Sequence, residues 1–401
     1  MLDKLYFIHK NTVKTAPLKF KRYLYAAVDW QARCICITGA RGTGKTTLLL
    51  QYIQEHQPDV EECLYLSADN VEVSAAGLYN IAGEYFSYGG KTLVIDEIHK
   101  YPAWQVELKN IVDTFKDKQI IVSGSSSLSI KKGKADLSRR MAYYDLRGMS
   151  FREYLNLTKN TGFASVPLAT ILREHVKIAQ GVLKQTQVLK HFNEYLQYGY
   201  YPFVTEGIGT YLQKVLGIIE KVFYEDIAVV GNLKRKNVVT IKKLLWIIAT
   251  STPFTVNIDK LSRETGVSKS YLYDYLEYLQ DAGVLAGVYA EGKGYKLIRK
   301  PAKLFVENTN LLAALCGALR SESEQGTVRE TFFVNQLGQQ HKVSYSEKGD
   351  FAVDDKYTIE IGGKNKDGSQ VANVNNAYIA ADRIEIGHGK KVPLYLFGFL
   401  Y

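Results

Sequence analysis

The stretch Cys34-Ile35-Cys36-Ile37-Thr38-Gly39-Ala40-Arg41-Gly42-Thr43-Gly44-Lys45-Thr46 decides the fold. Its opening run, Cys34–Thr38, is short, apolar and β-branched, as in a strand buried on both faces of a parallel sheet. The rest, Gly39–Thr46, fits G-x-x-x-x-G-K-[ST] at every fixed position. Glycines let the backbone curl so that several N–H groups point at phosphate oxygens. The helix opening at Lys45 adds its positive end. Lys45 would reach the β- and γ-phosphates, and the Thr46 hydroxyl would ligate Mg²⁺. Gly39, Ala40, Arg41, Gly42, Thr43, Gly44, Lys45, Thr46 and Thr47 are therefore the expected nucleoside triphosphate site.

Working outward, further strands are expected at Cys63–Ser67, Thr92–Asp96, Gln119–Ser123 and Ala142–Leu146. Helical stretches separate them, at Lys45–His56, Ala75–Tyr88 and Trp104–Phe115. That alternation is the pattern of an α/β domain with a parallel sheet. Upstream, residues 1–30 read as a basic lead-in followed by one helix, Pro17–Trp30. The strand Leu93-Val-Ile-Asp96 delivers an acid to the edge where α/β ligands bind. Asp96 is expected on the magnesium, and Glu97 is expected to orient and polarise the attacking water. Ser123 and Ser125, ending the next strand, are the candidates to sense the γ-phosphate. Arg139 and Arg140 are candidates to meet charge on the transferring phosphoryl group, in the same or a neighbouring subunit.

These motifs, together with Met149-Ser-Phe-Arg-Glu153-Tyr, Tyr198-Gly-Tyr-Tyr-Pro202 and the ending Pro393-Leu-Tyr-Leu-Phe-Gly-Phe-Leu-Tyr401, resemble the AAA+ ATPase superfamily. Within it they are similar to poorly characterised prokaryotic ATPases with a winged-helix domain and a restriction-endonuclease-like C-terminal domain. The resemblance covers nearly the whole chain. It implies ATP as the nucleotide and a core ATPase domain followed by a helical lid. One departure is that 151–201 has no obvious arginine at the lid position that contacts the γ-phosphate in many relatives; Arg173 is the nearest candidate.

Beyond Ser150 the pattern turns helical to about Leu245. Asn237–Val288 then reads as three helices with a tight turn at Gly266-Val-Ser268, where Ser268 is an N-cap and Gly283 a C-cap. Leu272, Leu276 and Leu279 share one face. A wing is expected at Ala290–Leu297. The segment 231–303 carries thirteen Lys/Arg and six Asp/Glu, a net of +7, which suits double-stranded DNA. The second helix, however, presents Tyr273, Asp274, Glu277 and Asp281, and carboxylates are repelled by phosphates. DNA contact is therefore expected through Lys293, Lys296, Arg299 and Lys300 on the wing side, and through Lys242 and Lys243.

In the tail, a helix Val328–Gln339 precedes strands at Lys342–Tyr345, Asp350–Val353 and Tyr357–Ile361, and the chain ends in an expected strand, Val392–Leu400. Glu330, Asp350, Glu360 and Lys364 form a set like that of metal-dependent nucleases. The lysine falls late and Gly362 stands where it belongs, so the expected outcome is a retained fold without cleavage, with a glycine bulge at Gly362 as the route for Lys364 back to the site.

The expected domains are thus 1–150 (ATPase core), 151–230 (lid), 231–315 (winged helix-turn-helix) and 316–401 (nuclease-like). A chain of 401 residues with 46% apolar and 23% charged residues suits several globular domains. Its net charge of +10 favours anionic partners. Cys34, Cys36, Cys63 and Cys316 lack zinc spacing and read as reduced thiols of a cytoplasmic protein. No stretch has the roughly 18–20 apolar residues a membrane helix needs. The function these features imply is a Mg²⁺-dependent ATPase switching a C-terminal module, in a homo-oligomer or with a protein partner. The alternatives are a DNA-binding switch with negligible turnover and an ATP-gated nuclease.

Overall fold

The computed structural model describes residues 1–57, 59–125, 137, 139–228, 231, 233–251, 254–255, 257–290 and 301–401. The chain divides into two compact units, Met1–Gly148 and Met149–Tyr401.

In the first unit, β1 (Cys34–Gly39), β2 (Cys63–Ser67), β3 (Thr92–Asp96), β4 (Gln119–Ser125) and β5 (Ala142–Asp145) form a parallel sheet in the order β2-β3-β4-β1-β5. Strand side chains alternate between two faces, and here both faces are cores. Cys34, Cys36, Leu64, Leu66, Leu93, Ile95, Ile120 and Val122 enter one. Ile35, Ile37, Cys63, Tyr65, Val94 and Ile121 enter the other, under Leu48, Leu49, Tyr52 and Ile53 of the helix Lys45–His56. This two-sided burial explains why the strands are apolar without a period of two. Two expectations change. Gly77, with φ +86, divides the helix expected at 75–88 into Val71–Ala76 and Leu78–Ser87. The N-terminal lead-in is itself a helix, Leu2–Val13, while 17–30 holds only the turn Leu24–Ala27. Leu2, Leu5, His9 and Val13 are its buried stripe.

That helix packs on the edge strand β2, where exposed backbone donors invite wrong pairing. His9 answers one of them: its Nδ1 accepts the Tyr65 N–H at 2.9 Å.

In the second unit, β6 (Phe254–Thr255), β7 (Leu285–Ala290), β8 (Lys303–Val306), β9 (Val343–Tyr345), β10 (Phe351–Val353), β11 (Tyr357–Gly362), β12 (Ala377–Ala381) and β13 (Lys391–Pro393) make one mixed sheet. Its order is β13-β12-β11-β10-β9-β7-β8-β6. The parallel pairs Tyr289↔Ser344 and Ala290↔Tyr345 join strands of the segment expected as a winged helix to those of the tail. The three expected helices appear as Arg235–Thr250, Ile258–Thr265 and Lys269–Asp281, with Gly266 left-handed between the last two. Leu272, Leu276 and Leu279 are buried. Ser268 stands at the N-cap position but makes no side-chain capping bond. The expected wing beyond Ala290, with Lys293, Lys296, Arg299 and Lys300, lies outside the described residues.

Asn310, wholly buried, closes a polar hub: its Oδ1 accepts the Tyr200 N–H and the Tyr211 hydroxyl, and its Nδ2 donates to the Tyr195 and Leu196 carbonyls. The ending corrects another expectation. Only Lys391–Pro393 is strand, and Leu394–Phe399 is a 3₁₀ helix. Leu394–Phe399 is buried throughout, and an apolar run enclosed on every side carries no periodicity to separate strand from helix. All four cysteines are free and buried. Among the described residues no helix is long and apolar enough to cross a membrane.

Burial pulls the His9 imidazole down from its ordinary value near 6.5 to about 4. The unfolded chain then binds the extra proton first, so stability falls as pH drops from 6.5 to about 4. The loss is about 3 kcal/mol. Urea midpoints across this range are expected to fall less steeply in His9→Asn, which keeps an acceptor but does not titrate; parallel profiles would count against this account.

Candidate nucleotide site

The loop Gly39–Thr46 bends from β1 into the helix Lys45–His56, with Gly44 left-handed at the N-cap (φ +95). Gly39 allows a close approach: a Cβ there would lie 2.4 Å from the Leu146 carbonyl oxygen. Arg22 braces the loop from the N-terminal segment. Its guanidinium donates to the Thr43 carbonyl and, at 2.7 Å, to that of Arg147. Nothing in the spacing distinguished Arg22 from Lys19 and Lys21 beside it. The Lys45 ammonium folds back onto the Gly39 and Ala40 carbonyls, each at 3.0 Å. Burial lowers its proton affinity, while Glu97 and then Asp96 act in the opposite sense.

Asp96 is 2% exposed and takes hydroxyl donors from three elements. The Thr46 hydroxyl reaches its Oδ2 at 2.7 Å and the Tyr65 hydroxyl the same oxygen at 3.0 Å. Ser123 donates to Oδ1. The structure thus brings Thr46, Asp96 and Ser123 together as the motif spacing implies. Tyr65 is the member that sequence reasoning missed: it lies one strand away, and only the β2–β3 register, Ser67↔Asp96, brings it near.

Glu97 follows in a left-handed conformation (φ +52), a state that costs about 1–3 kcal/mol for a non-glycine residue. Its N–H donates to Ser123 Oγ at 3.2 Å. Burial raises its carboxyl above the usual range, and Lys45 pulls it back. His99, in the turn Ile98–Lys100, places Nε2 3.6 Å from Glu97 Oε2. Its Nδ1 accepts the Ser125 N–H at 3.3 Å.

The two arginines are placed differently. Arg140 grips Asp113 in a two-pronged pair at 2.8 and 3.1 Å, and Arg139 is exposed. In the second unit, Arg173 pairs with Glu174 at 2.8 Å.

The tail set is held by lysines. Lys303 Nζ lies 2.8 Å from Glu330 Oε2 and 3.9 Å from Asp350 Oδ1. Asp350 Oδ2 also accepts the Ile361 N–H at 2.7 Å. Lys366, and not the expected Lys364, meets the fully buried Glu360, at 2.7 Å. The reason is local. After Gly362 the chain turns, with Lys366 N–H on the Gly363 carbonyl, and the Lys366 stem crosses where a Cβ on Gly362 would stand, 2.7 Å away. Lys364 is left exposed. Among the described residues no group of three or more His, Cys, Asp and Glu side chains is arranged to hold a metal. Removing one partner of a buried pair leaves the other charge uncompensated, so Lys303→Met should cost about 3–5 kcal/mol, read as a lower urea midpoint; an unchanged midpoint would mean the pair is dispensable.

Residues 31–155 match the family model described as AAA domain, a span that runs from just before β1 through Asp96-Glu97 and β5. Residues 189–322 match one described as a domain of unknown function (DUF8612). The uncharacterised protein MJ1637 of Methanocaldococcus jannaschii is 28% identical over 389 residues, covering 89% of this chain and 81% of its own. A second uncharacterised protein of that organism, MJ1544, is 26% identical over 260 residues, covering 61% and 54%. Among solved structures, AMPPCP-bound DnaA from Aquifex aeolicus covers 64% of this chain and 84% of its own at 15% identity, with a TM-score of 0.29. PCH-2 of C. elegans covers 42% and 48% at 16% identity, with a TM-score of 0.24. Structural overlap at that level is slight.

Proposed function

We propose that this protein binds ATP with Mg²⁺ in the loop Gly39–Thr46 and hydrolyses it, and that the second unit reads the nucleotide state. One observation carries the reading: Thr46, Asp96 and Glu97 converge at the C-terminal edge of a parallel sheet, beside a lysine held in a glycine-rich loop. Thr46 Oγ1 and the Asp96 carboxylate are hard oxygen donors of the kind Mg²⁺ takes, alongside phosphate oxygens. When bound, the ion supplies charge neutralisation on the β- and γ-phosphates. Lys45 exchanges its two carbonyl partners for phosphate oxygens. Glu97 orients a water molecule and accepts its proton, while Ser123 holds the backbone on which Glu97 is mounted. Arg139, exposed ahead of β5, is the candidate to complete the site of a second copy.

Phosphate release should be measurable in the wild type and fall about 10²–10⁴-fold in Glu97→Gln with ATP affinity retained, whereas Lys45→Ala should lose affinity. ATP binding without turnover by the wild type would favour the non-hydrolysing switch.

DNA contact has separate support. Lys234, Arg235 and Lys236 are exposed at the start of the helix Arg235–Thr250, whose first turn holds no acid. Cations oppose the helix dipole at that end, and a phosphate backbone would relieve them. Changing all three to Gln should weaken duplex DNA binding and reduce the slope of log K against log salt by about 3; an unchanged slope would refute contact there. The nuclease alternative has no matching support: among the described residues no group of three or more His, Cys, Asp and Glu side chains is arranged to hold a metal.

A further inference from the structure

We infer that His99 is a positioning residue for Glu97, donating through Nε2–H to the carboxylate that orients the attacking water. The inference rests on the hydrolytic reading above.

Three observations converge. First, the Ser125 N–H at 3.3 Å from Nδ1 requires that nitrogen to be an acceptor. In a neutral imidazole the proton is then on Nε2. Second, Nε2 is the nitrogen that faces Glu97 Oε2, at 3.6 Å. That is longer than a hydrogen bond, and catalytic contacts commonly tighten when substrate fills a site. Third, the His99 side chain is only 5% exposed, so water competes little for the proton.

The arrangement gives β4 a hold on both ends of Glu97. Ser123 takes the Glu97 N–H, and Ser125 orients the imidazole that addresses the carboxylate. Burial raises the Glu97 carboxyl and Lys45 acts against it. Lys45 is the group that moves to phosphate when ATP enters. A donor that stays on the protein then keeps the Glu97 carboxylate aimed at water.

Two substitutions separate this role from simple packing. Gln places an amide N–H near the position of Nε2; Asn places an amide oxygen near that of Nδ1. His99→Gln therefore keeps a donor for Glu97, and His99→Asn keeps only the acceptor for Ser125. The expected result is kcat within about threefold of wild type for His99→Gln. For His99→Asn it is a loss of about 10- to 100-fold, with ATP affinity unchanged. The reverse order of the two variants, or wild-type kcat in both, overturns the inference and leaves the ATPase reading standing. No turnover by the wild type overturns both.

Discussion

Burying a carboxylate costs several kilocalories per mole unless donors replace the lost water. At the end of β3 that demand falls on Asp96, and its answer organises the first unit. The three hydroxyls come from the helix after the loop, from β2 and from β4. The carboxylate therefore ties the helix after the loop to two strands of the sheet. Tyr65 extends the tie outward, because its backbone N–H is the one that His9 accepts at the sheet edge. The registers Ser67↔Asp96 and Ile95↔Val122 make the convergence possible, and a slip of one residue would turn Tyr65 or Ser123 to the opposite face.

Neighbouring acids are placed differently because of one backbone state. Asp96 ends the strand and is fixed by hydroxyls. Glu97, rotated into the left-handed region, leaves the strand direction, and the proton affinity of its carboxyl is raised by partial burial while Lys45 acts against that. A raised proton affinity suits the proton-accepting role proposed for Glu97. Lys45 is likewise held in reserve, its charge spread over two loop carbonyls.

The second unit solves the same burial problem with cations. Lys303 serves Glu330 and Asp350, and Lys366 serves Glu360. The amide of Asn310, bonded through both its oxygen and its nitrogen, does for the helices what these pairs do for the sheet. The stretches expected as lid and winged helix thus share one hub, and those expected as winged helix and tail share one sheet.

Much of this was legible in the linear chain. The strand-loop-helix at Cys34–His56, the acid pair after β3 and the helices around Gly266 follow from runs, caps and glycines whose meaning is local. The N-terminal helix was missed, because Lys4, Lys10 and Lys14 made the stretch read as a basic lead-in, although Leu2, Leu5, His9 and Val13 form a buried stripe. What the chain order could not specify were encounters across elements. Tyr65 meets Asp96 through strand register, His99 turns back to Glu97 through a left-handed residue, and Lys366 displaces Lys364 because of a turn after Gly362. The buried ending, apolar on every side, carries no period to read. Sequence alone determined which reactive side chains stand together in motifs, since a motif is a statement about neighbours along the chain. Only the tertiary structure decided which side chain satisfies which buried charge, since that depends on packing between segments far apart in sequence.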